Sequence, residues 1–195
     1  MSRADLEKWD ARYAGRDADG PGPVDPFLRE IESELPRSGR ALDLAGGSGR
    51  HALFLAEHGL DVTLVDVSPR GLALAEAAAV AAGRSISTVA LDLDDEPLPD
   101  GPFELVLCSW YRISPRLWDE IFRVLARDGR LACVHPTPTH LERHAHPGRR
   151  FVIEVAELEA QLSRVGLEML RLAADWDANG NHTARLWARK SALEA

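Results

Sequence analysis

One glycine-rich loop and three acidic residues are the parts of this sequence whose types and spacing could do chemistry. The loop runs Asp43-Leu-Ala-Gly-Gly-Ser-Gly49. Glycines let a backbone approach a ligand closely because no Cβ intervenes. A loop of this kind, after a strand and before a helix, lies where α/β sheets bind nucleotides and nucleosides. Gly47-x-Gly49-x-x-Ala52 also fits a loose dinucleotide fingerprint. Asp43 separates the two possibilities. A carboxylate at that strand end repels the two charges of a pyrophosphate and favours sulfonium and ammonium cations. It could equally cap the loop's own amides, and the two roles are compatible.

Asp66 closes the second apolar run, 17 positions past Gly49. It can accept hydrogen bonds from both hydroxyls of a ribose, each about 1.5–3 kcal/mol when charge-assisted. Asp92, after the third run, suits the exocyclic amine of adenine, and Leu93 could cover the ring. Taken alone, Asp92 is also an ordinary loop carboxylate in the acidic run 92–96. Three acids at three successive strand ends are harder to dismiss.

Holding these residues in place requires strands and helices that alternate. Apolar runs at 41–45, 62–65, 88–91, 103–108 and 130–134 predict five strands, with helices expected at 50–57, 69–82, 116–126 and 154–165. Ser68-Pro69 is a standard helix start. Near-continuous apolar strands between helices indicate a parallel sheet covered on both faces. The stretches 167–173 and 183–189 flank the turn-rich Asp177-Ala-Asn-Gly-Asn181 and predict a terminal antiparallel hairpin. Ahead of all this, residues 3–14 predict a helix carrying Leu6, Trp9 and Tyr13, then a Gly/Pro/Asp linker over 15–26 and a helical segment at 27–35.

Composition narrows the class. The chain has 195 residues, of which 31 are acidic and 23 basic, for a net charge of −8. That sign repels nucleic-acid backbones and argues against a general DNA or RNA binder; Arg143, Arg149 and Arg150 read as a solvated loop. Cys108 and Cys133 sit in apolar runs, as small buried residues of a reducing compartment do. The polar N-terminus lacks a signal-peptide core and no apolar run nears the length of a membrane span, so a cytoplasmic protein is expected.

With these residues in view, the chain from about Trp9 to Arg189 resembles the class I S-adenosylmethionine-dependent methyltransferases. The family's acidic-x-Gly-x-Gly-x-Gly pattern is met at 43–49 with Ala45 in the first glycine's place. Asp66 and Asp92 match its acids after strands two and three. Leu125-Ala-Arg-Asp-Gly-Arg-Leu131 is similar to its Leu-x-Pro-Gly-Gly-x-Leu turn, with Arg127-Asp128 where Pro-Gly is usual, and Glu104 stands for the more frequent Asp. Trp9-Asp-Ala-Arg-Tyr13 resembles the opening of the tellurite-resistance and thiopurine types.

The resemblance implies a doubly wound, Rossmann-like α/β sheet of seven strands in the order 3-2-1-4-5-7-6. Residues 1–35 would be a helical lid segment and 36–195 the cofactor-binding domain, within one structural domain. S-adenosylmethionine would be the cofactor and S-adenosylhomocysteine its product. Asp43, Ala45, Gly46, Gly47, Gly49, Asp66, Val67, Asp92, Leu93 and Ser109 would hold it, with Trp9, Arg12 and Tyr13 near the methionine portion unless Trp9 and Tyr13 simply pack the helix. A small-molecule acceptor would meet Trp110 and Tyr111 as an aromatic wall, Arg112 as an anion clamp and His135 as a general base; Tyr111 and His135 are the candidate catalytic residues. Core packing for Trp110 and a surface ion pair for Arg112 are the plainer readings.

The acceptor atom (S, O, N or a metalloid) stays open, as does the choice between monomer and homodimer. No nucleic-acid or membrane partner is expected. His140, His144 and His146 invite a metal reading, but no cysteine accompanies them and nearby prolines break the helix they would need, so no metal is expected. Two other readings stay in play: a non-catalytic S-adenosylmethionine-binding protein, and an NAD(P)-dependent oxidoreductase.

Overall fold

A computed structural model describes residues 3–14 and 20–191; residues 15–19 of the expected linker lie outside the described residues. Seven strands form one sheet in the order β3-β2-β1-β4-β5-β7-β6, as expected, and the chain groups into two compact units, 1–99 and 100–195. No described helix is long and apolar enough to cross a membrane.

The first unit holds helix α1 (Arg3–Tyr13), α2 (Pro26–Glu30) with a short 3-10 turn after it, strand β1 (Arg40–Leu44), α3 (Arg50–Glu57), β2 (Asp61–Asp66), α4 (Pro69–Ala81) and β3 (Ser87–Ala90). β1, β2 and β3 pair in parallel, with Asp43 opposite Leu64 and Asp66 opposite Ala90. The expected helix start at Ser68-Pro69 is present, and the Ser68 hydroxyl accepts the Gly71 N–H at 3.1 Å. Asp25-Pro26 opens α2 the same way, its carboxylate accepting the Phe27 N–H. Gly49 takes φ +85° at the N-cap of α3, and a Cβ there would come within 2.7 Å of the Ala75 Cβ. The loop glycine therefore also lets α3 and α4 pack closely.

The second unit holds β4 (Phe103–Ser109), α5 (Pro115–Val124), β5 (Leu125–Pro136), α6 (Val155–Val165), β6 (Glu168–Trp176) and β7 (His182–Arg189). β4 and β5 are parallel, while β5–β7 and β6–β7 are antiparallel, which gives the terminal hairpin. α5 turns Leu117, Trp118, Ile121 and Val124 inward, all essentially without exposed surface. Each such side chain contributes about 1.5–3 kcal/mol by burial.

α5 ends at Val124, two residues earlier than its periodicity predicts, and β5 begins at once. Leu125 already pairs with Phe103, and Lys190 Nζ donates to the Phe122 and Leu125 carbonyls at 2.7 and 2.9 Å. These bonds satisfy carbonyls that a continuing helix would have used. Asp128 takes φ +60° at the position where the family pattern has glycine.

Candidate active site

The glycine loop leaves β1 at Leu44. Ala45 and Gly47 both take left-handed φ values of +55°, and the Gly46 N–H donates to the Val65 carbonyl at 3.2 Å. Ala45 adopts this conformation despite its Cβ, a strain that tends to persist only at functional positions. Asp43, at the head of the loop, is 1% exposed, and no side chain bonds its carboxylate, which has only the Ala52 backbone amide to favour its ionised form by hydrogen bonding. Burial lifts its pKa from 3.8 to about 7, against the nearby Arg50 charge and with help from Asp66. A Cβ on Gly46 would lie 2.6 Å from Asp43 Oδ2. Thus a buried acid with few partners adjoins a bare backbone, an arrangement whose charge and space suit a cation.

Asp66 accepts two backbone N–H bonds, from Gly47 to Oδ2 at 2.9 Å and from Ser68 to Oδ1 at 2.8 Å. Burial raises its pKa, opposed by these bonds. Each carboxylate oxygen can accept a further bond, so the geometry leaves capacity for ribose hydroxyls while tying the acid to the loop. Val67 is buried beside it.

Asp92 turns back on its own loop: Oδ1 accepts the Asp94 N–H at 2.9 Å, and the Asp92 N–H donates to Glu96. The plain loop role is thus visible. Leu93 has no exposed surface.

From α1, Tyr13 is buried against the loop, with Trp9 stacked on it at a ring separation of 6.3 Å. The exposed Arg12 lies over the Trp9 ring at 5.2 Å.

The acceptor-side residues lie in the second unit. Ser109 and His135 end β4 and β5 on neighbouring strands. The Ser109 hydroxyl is buried without a hydrogen bond, and the buried His135 ring has the Tyr111 backbone beside it. Trp110 follows Ser109 with φ +61°, held by its N–H donating to the Val134 carbonyl at 2.8 Å. Tyr111 is buried beyond it.

His135 has no exposed surface, and desolvation brings its pKa down to about 4. It is neutral at physiological pH and enclosed. A neutral imidazole is the form that could accept a proton. Arg112 Nη2 contacts both Glu157 oxygens, at 2.7 and 2.9 Å. This is the ion pair that the plainer reading expects.

The histidines read as metal candidates form a structural knot instead. His140 Nε2 bonds the His146 carbonyl, and His140 Nδ1 accepts the His182 N–H at 3.3 Å. His144 stacks on His140 and bonds the Gly180 carbonyl at 2.8 Å, while Trp110 meets His140 edge-on. Among the described residues no group of three His, Cys, Asp or Glu is arranged to hold a metal.

Three participants escape sequence reasoning. Asp10 of α1 accepts the Ser68 hydroxyl proton and the Arg70 N–H at 3.3 Å. Gly71 seats the Tyr13 ring, where a Cβ would lie 3.0 Å from Cε2. His51, 3% exposed, accepts the Asp25 N–H at Nε2, and burial lowers its pKa to about 3. The one available signal was a glycine in the first turn of α4, where no turn requires it.

A family profile described as a methyltransferase domain matches residues 41–129. A putative methyltransferase of Bacillus subtilis, YqeM, is 36% identical over 115 residues, 55% of this chain and 46% of that protein. A Talaromyces variabilis protein named S-adenosyl-L-methionine-dependent Diels-Alderase iccD is 30% identical over 128 residues, 58% of this chain and 44% of that one. The chain spans less than half the length of the curated relatives it matches. Among solved structures, TehB from Haemophilus influenzae aligns with a TM-score of 0.69 at 20% identity, covering 85% of this chain and 62% of that one, a likeness of fold.

Proposed function

We propose that the chain, whose residues 41–129 match a methyltransferase domain, is a class I S-adenosylmethionine-dependent methyltransferase that takes S-adenosylmethionine as cofactor and transfers its methyl group to a small-molecule acceptor. The observation that carries this reading is Asp43, a buried carboxylate that no side chain bonds, beside Gly46 and Gly47. In this reading the loop, shaped by Ala45 and Gly49, holds the methionine portion, and Trp9, Arg12 and Tyr13 of α1 flank it. Asp66 and Val67 take the ribose and Asp92 the adenine edge.

Bound S-adenosylmethionine supplies a methyl carbon already activated by its sulfonium. The protein's part is then alignment, which can supply about 7–11 kcal/mol of the barrier. Trp110 and Tyr111 orient the acceptor. No proton transfer to the enclosed His135 is required for a soft nucleophile, and Arg112 and Leu93 take no direct part. The net charge of −8 supports a small molecule rather than a nucleic acid.

The test is a screen of thiols, amines, hydroxyls and metalloid anions, following S-adenosylhomocysteine formation. Turnover with at least one class is expected. A second reading draws on the Talaromyces relative, whose name describes an S-adenosylmethionine-dependent enzyme of a different reaction. Tight binding with recovery of intact cofactor across the whole screen would replace methyl transfer with that reading.

A further inference from the structure

The contacts between α1 and the glycine loop form a built seat. Gly47 and Gly71 lie side by side, and the Tyr13 ring rests on both: a Cβ on Gly47 would strike the Tyr13 hydroxyl, and one on Gly71 would crowd Cε2 and Cδ2. Asp10, three residues earlier on α1, fastens the helix beside that seat. Its Oδ1 accepts the Ser68 hydroxyl proton and the Arg70 N–H. Ser68 is already shared, since its N–H donates to Asp66 Oδ1 and its hydroxyl accepts from Gly71. Asp66 continues the chain by accepting the Gly47 N–H. A connected path therefore runs from Asp10 through Ser68 and Asp66 to the loop backbone.

We propose that Asp10 is a positioning residue for the cofactor: it holds α1 down so that Tyr13, seated on Gly47 and Gly71, retains the nucleoside bound at Asp66. This rests on the cofactor assignment above. A fastened α1 must be released before ligand leaves, so the latch acts on the dissociation rate more than on encounter. Ser68 and Arg70 present donors only to an acceptor at position 10, and an asparagine keeps that acceptor whereas alanine removes it.

The experiment measures S-adenosylhomocysteine affinity and dissociation rate, by calorimetry and stopped-flow fluorescence, for wild type, Asp10→Ala, Asp10→Asn and Tyr13→Ala. Asp10→Ala and Tyr13→Ala are expected to bind about tenfold more weakly, with dissociation faster by a similar factor, and Asp10→Asn to stay within about threefold of wild type. A merely structural role would lower the melting temperature without changing the dissociation rate of the folded protein. Should Asp10→Ala fail to fold, Tyr13→Ala, which leaves the Asp10 contacts in place, carries the test. Unchanged dissociation in both, or an Asp10→Asn as weak as Asp10→Ala, overturns the latch. If wild type itself does not bind S-adenosylhomocysteine, the cofactor reading fails instead.

Discussion

Replacing Asp43 with asparagine is expected to stabilise the ligand-free protein at pH 8 while weakening S-adenosylmethionine binding at least tenfold. Moving this carboxyl from 3.8 to about 7 corresponds to about 4 kcal/mol at about 1.4 kcal/mol per pH unit. A raised carboxyl pKa means that the folded state binds more protons. The penalty is therefore full above pH 7 and fades as pH falls toward 4. An amide carries no charge, but its own buried N–H groups cost part of what is gained, leaving about 2–3 kcal/mol. At pH 5 the wild-type penalty has shrunk to about 1.6 kcal/mol, so the advantage of the variant should shrink with it. Urea unfolding at the two pH values and calorimetry with the cofactor check both halves. A variant no more stable at pH 8, or one that binds undiminished, contradicts the role given to Asp43. The wild-type residue is then best understood as instability kept for a ligand.

His135 should show the opposite pH dependence. Its pKa is depressed from 6.5 to about 4 by burial, so the unfolded chain binds the proton more readily. Stability from the neutral imidazole is complete above pH 6.5 and is lost as pH falls toward 4, for a total of about 3 kcal/mol. His51, lowered to about 3, works in the same direction. Asp43 works against both, which softens the net acid sensitivity of the wild type. The clean measurement is therefore a difference. Between pH 7 and pH 4, the stability of His135→Leu relative to wild type should rise by about 3 kcal/mol, whatever constant cost the substitution carries. A pH-independent difference would mean that His135 titrates normally, and its burial would then not explain its chemistry.

Much of this was legible before any coordinates. Ser68-Pro69 announces α4, and the turn at 177–181 announces the hairpin, because caps and turns are local chemistry. The order Asp43, glycine loop, Asp66 is likewise a matter of strand ends. Partners far apart in sequence are not local chemistry. Arg112 finds Glu157 across 45 positions, and Asp10 finds Ser68 across 58. Neither pairing leaves a trace in periodicity. Leu93 and His135 look like site residues from their positions at strand ends, and their complete burial is not readable there. α5 overran its end in the reading because Leu125 is as good a helix former as it is a strand residue, and tertiary bonds from Lys190 decide the matter.

The central claim is that the loop headed by Asp43, together with Asp66, binds S-adenosylmethionine and not a dinucleotide. Isothermal titration of the wild-type chain and of Asp66→Ala with S-adenosylhomocysteine and with NAD tests it most directly. Wild type is expected to bind S-adenosylhomocysteine, Asp66→Ala to bind it at least tenfold more weakly, a loss of about 1.4 kcal/mol, and NAD to give no heat of binding. Tight NAD binding, or an Asp66→Ala affinity equal to that of wild type, would contradict it.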